Sequence, residues 1–292
     1  MIERRTSPVL VLVTALTLVA FAANSVLCRL ALGGHRIDAV SFTTLRLGGG
    51  AVVLVLLSRF TARPRPAMRA MGSWGSAVAL FTYASAFSIA FLSLTAGMGS
   101  LILFGAVQAT MIGGGMLAGE PPRRIQWLGL AVALVGLVYL VSPGLTAPDP
   151  LGVALMTVAG VAWGVYSLRG RRATSPIAGT TGNFARTVPL AIIASALAFR
   201  AARAEAAGAA LALISGTITS GLGYALWYRA LRELTTTQAA IVQLLVPVLA
   251  AAGGVVFLAE RPSLRLAIAS VLILGGVAVA VLARSAGARP GT

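Results

Sequence analysis

Apolar residues along this chain come in blocks of about twenty, the length a helix needs to cross a hydrocarbon core, separated by short arginine-bearing or polar connectors. Ten such blocks are recognised, at 8–30, 39–57, 74–94, 98–118, 125–141, 151–168, 183–199, 209–228, 239–258 and 266–283. The runs are continuous and lack the period-two alternation of barrel strands, so each is read as a helix. The seventh carries Arg186 and Pro189 in its first turns. Glu3-Arg4-Arg5 ahead of the first block, with Ala20-Phe21-Ala22 inside it, has the form of a secretory signal. Cleavage there would destroy the internal symmetry described below, so the block is read as a retained span.

Composition agrees with the pattern. Of 292 residues, 58% are hydrophobic and 10% charged, too few charges to cover a water-facing surface. The 23 basic residues are all arginine and face 7 acids, for a net charge of +16. They form no run that would mark a nucleic-acid surface; they sit between spans, where they set topology. With the amino terminus inside, fifteen of the 23 lie on the cytoplasmic side. Five lie outside (Arg36, Arg200, Arg203, Arg261 and Arg265), and Arg29, Arg46 and Arg186 fall within spans. Both termini are therefore expected in the cytoplasm of a bacterial-type cell, with the chain in its inner membrane. A single cysteine, Cys28, and a single histidine, His35, leave no parts for a disulfide framework, a zinc cluster or a histidine-dependent triad. No enzyme, cofactor or metal is expected.

The halves match at an offset of about 140 residues. Gly113-Gly114 answers to Gly253-Gly254, Glu120-Pro121-Pro122 to Glu260-Arg261-Pro262, and Arg46 to Arg186, while Ala20–Ser25 aligns with Ala162–Ser167. Each half holds five spans, an odd number, so the second must enter the membrane from the opposite side. The expected fold is an all-α integral membrane protein of ten helices in two inverted five-helix repeats, 1–145 and 146–292, an organisation typical of secondary transporters.

With Ala162-Trp163-Gly164-x-Tyr166 in the sixth span, Arg46 early in the second, and Glu120 and Glu260 followed by proline after the fourth and ninth, the chain resembles the EamA-type ten-helix branch of the drug/metabolite transporter superfamily. The first half carries Phe21-Ala22 where Trp-Gly is more usual. The resemblance spans nearly the whole chain and implies a carrier of small metabolites, most often an exporter of amino acids or related compounds.

Polar and aromatic side chains at span depth are costly or bulky there, and so mark candidate pathway positions. Phe21 and Asn24 share one helical face, as do their repeat partners Trp163 and Tyr166. Tyr83, Phe87 and Tyr224 extend the set, and Gln108 and Gln243 add amides that should avoid lipid. Packing and interhelical hydrogen bonding are the alternative roles for each. Trp227 and Tyr228, near a span end, read instead as interfacial belt residues. Arg46 has no span carboxylate to pair with, which leaves helix-end carbonyls, the interface or a substrate carboxylate. Gly160 with Gly164, and Gly129 with Gly136, offer close-approach faces, whereas Gly113-Gly114-Gly115, Gly253-Gly254 and Pro247 are candidate bending points.

All seven acids lie at span ends or in connectors. With no embedded carboxylate to carry a proton, uniport by alternating access is expected, and the preferred cargo is an aromatic or apolar amino acid. Proton-coupled drug/metabolite antiport and a lipid-handling or scaffold role are the alternatives. The partners expected are a small-molecule substrate and the bilayer, with no nucleic acid; a monomer is compatible with this.

Overall fold

Long runs of Leu, Val, Ala and Ile place apolar side chains all around most helices, so one face can pack against protein while the other stays apolar. In the computed structural model, residues 8–61, 72–117, 124–142, 147–170, 175–231, 233–234, 242–261 and 263–285 are described. They are nearly all helical: α1 (Pro8–Gly33), α2 (Ala39–Thr61), α3 (Trp74–Ala90), α4 (Ala96–Leu117), α5 (Arg124–Val141), α6 (Pro150–Gly170), α7 (Pro176–Leu197), α8 (Ala206–Ile214), α9 (Gly223–Leu231), α10 (Leu245–Leu258) and α11 (Leu264–Ser285). A π-helical segment, Ser215–Leu222, joins α8 to α9, so Ala206–Trp227 runs as one apolar rod. Among the described residues five helices are long and apolar enough to cross a membrane, and four shorter ones are apolar.

Val11, Leu12, Leu16 and Val19 of α1 point outward while Val13, Thr14, Thr17 and Leu18 are buried. The same division leaves Val52, Val138, Ile192, Val256 and Val271 exposed, an apolar girdle that only lipid would cover without cost. The helices pair α2 with α7, α5 with α11, α3 and α4 with α6, and α1 with α9 and α10. Close approach uses glycine where the sequence offers it: Gly160 lies against Ala106 and the Leu103 backbone, Gly164 against Thr110, and Gly276 against the Gly129 carbonyl.

One helix boundary differs clearly from its sequence reading. α7 begins at Pro176, seven residues ahead of the apolar block at 183, because Thr180, Thr181 and Asn183 are buried against protein and need no lipid-compatible side chain. Residues 235–241, which include the start of the ninth apolar block, and Glu120 with its two prolines lie outside the described residues.

The acids explain their own scarcity. Asp38 Oδ1 accepts from the Val40 and Ser41 amides at the start of α2, and Asp149 Oδ2 accepts from the Gly152 amide at the start of α6. Glu260 reaches across the fold and accepts from the Ala96 amide at the start of α4, at 3.1 and 3.0 Å. A carboxylate there satisfies orphan amides and meets the positive end of the helix dipole. Its neighbour Ala259 holds the left-handed conformation that ends α10. Arg29 caps the other polarity: Nη1 donates to the Phe91 and Leu92 carbonyls after α3, both at 3.0 Å, and Nε lies 3.5 Å from Glu260. Outside the helices, Ile37 and Ala204 form an antiparallel bridge that ties the α1–α2 turn to the approach to α8.

Candidate functional site

The site forms where α1, α2, α3, α4, α6, the π-helical segment and the start of α9 meet. Arg46, on the inward face of α2, is 2% exposed. Its Nε donates to Ser220 Oγ at 3.2 Å and its Nη2 to the Tyr83 hydroxyl at 3.1 Å. The guanidinium carbon stands 5.2 Å from the Tyr83 ring centre and 5.0 Å from that of Phe87, within cation–π range. The third guanidinium nitrogen, Nη1, is buried and has no hydrogen-bond partner among the described residues.

Tyr83 and Phe87 lie four residues apart on α3, with ring centres 5.4 Å apart. Tyr83 continues to Trp163 of α6 at 4.9 Å, Trp163 to Tyr224 of α9 at 5.1 Å, and Tyr224 to Phe21 of α1 at 6.0 Å. Tyr166 stacks on Trp163 from behind at 5.5 Å, and Asn183 donates to its hydroxyl at 3.4 Å. On the opposite wall Asn24 Oδ1 accepts from Ser215 Oγ at 2.6 Å and from Thr219 Oγ1 at 3.2 Å, which fixes α1 to the π-helical segment. The wide π-helical winding brings three hydroxyls, Ser215, Thr219 and Ser220, to one wall. Gly216 permits it, since a Cβ there would run into the Arg46 backbone.

These groups enclose a cavity of about 30 Å³ lined by Phe21, Asn24, Arg46, Tyr83, Phe87, Trp163 and Tyr224 together with Ser25, Leu103, Phe104, Thr219 and Ser220. Ligand pockets usually measure about 300 Å³ or more, so a metabolite fits only after the helices part. Seven of the ten residues singled out by sequence thus line one cavity, and Tyr166 supports its wall. Gln108, 4% exposed, instead lines a separate, mainly apolar cavity of about 230 Å³ between α4, α5, α6 and α11. Gln243, half-buried ahead of α10, lines neither cavity.

Trp227 corrects the belt reading. It is buried, packs edge-on to Phe21 at 5.8 Å and joins Leu10, Val13 and Ala230 in a cluster behind the site; the helical phase that carries Tyr224 inward carries Trp227 with it. The side chain of Tyr228 lies outside the described residues. The hydroxyls of Ser25, Thr219 and Ser220 were missed because small hydroxyls satisfy themselves on their own helix and carry little signal. The available cue was four hydroxyl residues within Ser215–Ser220 (Ser215, Thr217, Thr219 and Ser220) beside Gly216. Each described acid lies outside the helices, and no cluster of three metal-ligating side chains occurs among the described residues.

Comparison with known proteins places this geometry in context. Residues 150–282 match the family model described as the EamA-like transporter family. An uncharacterized protein of Pseudomonas aeruginosa is 48% identical over 282 residues, covering 97% of this chain and 96% of that protein. A probable amino-acid metabolite efflux pump of Escherichia coli is 24% identical, covering 76% of this chain and 79% of the pump, and an uncharacterized transporter of Archaeoglobus fulgidus is 25% identical over 80% of this chain and 84% of the transporter. Among solved structures, a protein crystal structure at 23% identity superposes with a TM-score of 0.66, covering 92% of this chain and 98% of that one, which shows a shared fold.

Proposed function

The chain belongs to the EamA-like transporter family, and from that premise we propose that it is a secondary transporter exporting small metabolites, amino acids with aromatic or apolar side chains first, by alternating access. The observation that carries the reading is the aromatic-walled cavity around Arg46, built from helices of both halves of the chain. Phe21, Tyr83, Trp163 and Tyr224 offer stacking surface, while Asn24 and Arg46 offer polar contacts that fix orientation. Amino-acid metabolite efflux, named for the Escherichia coli pump, supports the substrate class.

Two inverted repeats, 1–145 and 146–292, are part of the proposal. Support comes from the pairing of α2 with α7 and of α5 with α11; with Ala206–Trp227 counted as one rod, each helix meets the one five spans on, as contacts across a pseudo-two-fold axis would. The family model matching the second half alone, residues 150–282, fits a five-helix unit. The position of the described acids outside the helices supports uniport over proton antiport, and the arginine count supports an inner-membrane protein with both termini in the cytoplasm.

The test is counterflow in proteoliposomes with radiolabelled Phe, Trp and Thr. Exchange of the aromatic compounds without an imposed pH gradient, lost in Trp163→Ala while the folded protein is retained, is the expected outcome. Transport that needs a pH gradient would replace uniport with proton coupling, and an intact Trp163→Ala carrier would move the pathway away from this cavity.

A further inference from the structure

The hydrogen-bond bookkeeping of the Arg46 cavity is one-sided. A guanidinium only donates, so Tyr83 and Ser220, which receive its Nη2 and Nε, each keep a hydroxyl proton to give away. Asn24 spends its carbonyl oxygen on Ser215 and Thr219, which leaves its amide hydrogens as what it can offer the cavity. Arg46 Nη1 is buried and unpartnered among the described residues. Unspent donors converge on the cavity, and what remains to accept is the weak capacity of neutral hydroxyl oxygens, with no charged acceptor among them. The charge is one-sided too: a buried cation faces no carboxylate, since every described acid lies outside the helices.

From this we infer that the cavity selects a small organic monoanion, a carboxylate on an aromatic or apolar body, over the corresponding zwitterionic amino acid, and that the membrane potential drives its export. The inference rests on the reading as a small-metabolite transporter and moves its preferred cargo from the amino acid to the matching carboxylate without an ammonium. A carboxylate meets Arg46 Nη1 and the Tyr83 and Ser220 protons, and neutralises a buried positive charge. An ammonium brought along with it finds no carboxylate; the rings of Tyr83 and Phe87 already face Arg46, which leaves the uncharged rings of Phe21, Trp163 and Tyr224 to replace its hydration. A zwitterion therefore gains the first contact and loses hydration at its other end. In uniport a monoanion moves one net charge outward per cycle, downhill in an inside-negative cell whichever way the protein is inserted.

The test compares phenylalanine with phenylpyruvate, the same skeleton with a 2-oxo group in place of the ammonium. Full-length protein in proteoliposomes is preloaded with either compound at equal pH on both sides, and efflux is read against protein-free vesicles under valinomycin potassium potentials of either sign. Expected is phenylpyruvate efflux faster than phenylalanine efflux by about tenfold or more, the size of one charge-assisted hydrogen bond. It should accelerate with the interior negative and slow with it positive, while phenylalanine efflux ignores the potential. Arg46→Gln should abolish the phenylpyruvate preference, and Arg46→Lys, which keeps the charge, should retain part of it. Phenylalanine efflux equal to or faster than that of phenylpyruvate, or phenylpyruvate efflux indifferent to potential, overturns the inference and leaves transport standing. Vesicles that pass neither compound nor Trp nor Thr overturn both.

Discussion

Tyr83 holds Arg46 twice, accepting Nη2 at 3.1 Å through its hydroxyl and facing the guanidinium at 5.2 Å through its ring. The two contacts can be separated by substitution. Tyr83→Phe keeps the ring face and removes the acceptor, so a second guanidinium nitrogen loses its partner in a buried site. The expected cost is about 1 to 3 kcal/mol, read as a lower melting temperature in detergent, with slower substrate efflux. Tyr83→Leu also removes the ring and should cost more, by the roughly 0.5 to 2 kcal/mol of a cation–π contact. Equal melting temperatures for the two variants would show that the ring face contributes nothing.

The contact of Asn24 with the π-helical segment makes a second, smaller prediction. Asn24→Leu leaves two hydroxyls without this acceptor, but Thr219 Oγ1 also donates to the Ser215 carbonyl at 2.7 Å, so Ser215 Oγ is the group that loses. Hydrogen bonds between helices in membranes are worth about 1 kcal/mol or less on average, and the loss should be of that size. Adding Ser215→Ala removes the stranded hydroxyl and should restore most of the stability. A double-mutant cycle on thermal unfolding in detergent checks it, and additive effects would refute the coupling.

What could be read ahead of the structure followed from the cost of polarity in lipid. Arg46, Asn24, Tyr83, Trp163 and Tyr224 stand out because a lipid-facing helix would not keep them, and the fold gathers all five around one cavity. Gln108 obeyed the same rule and still lies elsewhere, since avoiding lipid says only that a side chain faces protein, not which interface it faces. α7 shows the converse. Thr180, Thr181 and Asn183 lowered the apparent hydropathy of its first turns, yet all three are buried by neighbouring helices. Ser215, Thr219 and Ser220 depend on a π-helical winding that no 3.6-residue pattern encodes.

Two carboxylates outside the spans make opposite pH predictions. Glu260 is held above its ordinary 4.5 because burial penalises the charged form more than the Ala96 amide and the Arg29 charge favour it. Folded protein then binds more protons than unfolded over the interval above 4.5, so this group's contribution to stability falls as pH rises through that interval. Asp38 sits below its ordinary 3.8: burial pushes it up, but the hydrogen bonds from Ser41, Arg203 and Val40 outweigh that. Its contribution is present above 3.8 and is lost as pH falls through the folded value. Melting temperature against pH should therefore lose its downward component above 4.5 in Glu260→Gln and its acid-side loss in Asp38→Asn. An unchanged profile in either variant would reject the assignment for that residue.

Gly216 tests whether the winding of Ser215–Leu222 is what builds the site. Its backbone lies against that of Arg46, and a Cβ would collide with the Arg46 carbonyl and Cα rather than with the yielding end of a side chain. Gly216→Ala must therefore push the π-helical segment off α2. Overpacking of this kind costs about 1 to 3 kcal/mol, and the displacement acts directly on the bond from Arg46 Nε to Ser220 at 3.2 Å. Gly48, on the same face-to-face pair of elements but with open space at its Cβ position, supplies the control. Gly48→Ala should leave both melting temperature and substrate efflux near those of the parent, while Gly216→Ala lowers both. If Gly216→Ala melts lower yet transports as before, the segment serves stability alone and the Ser220 contact is not needed to hold Arg46 in place.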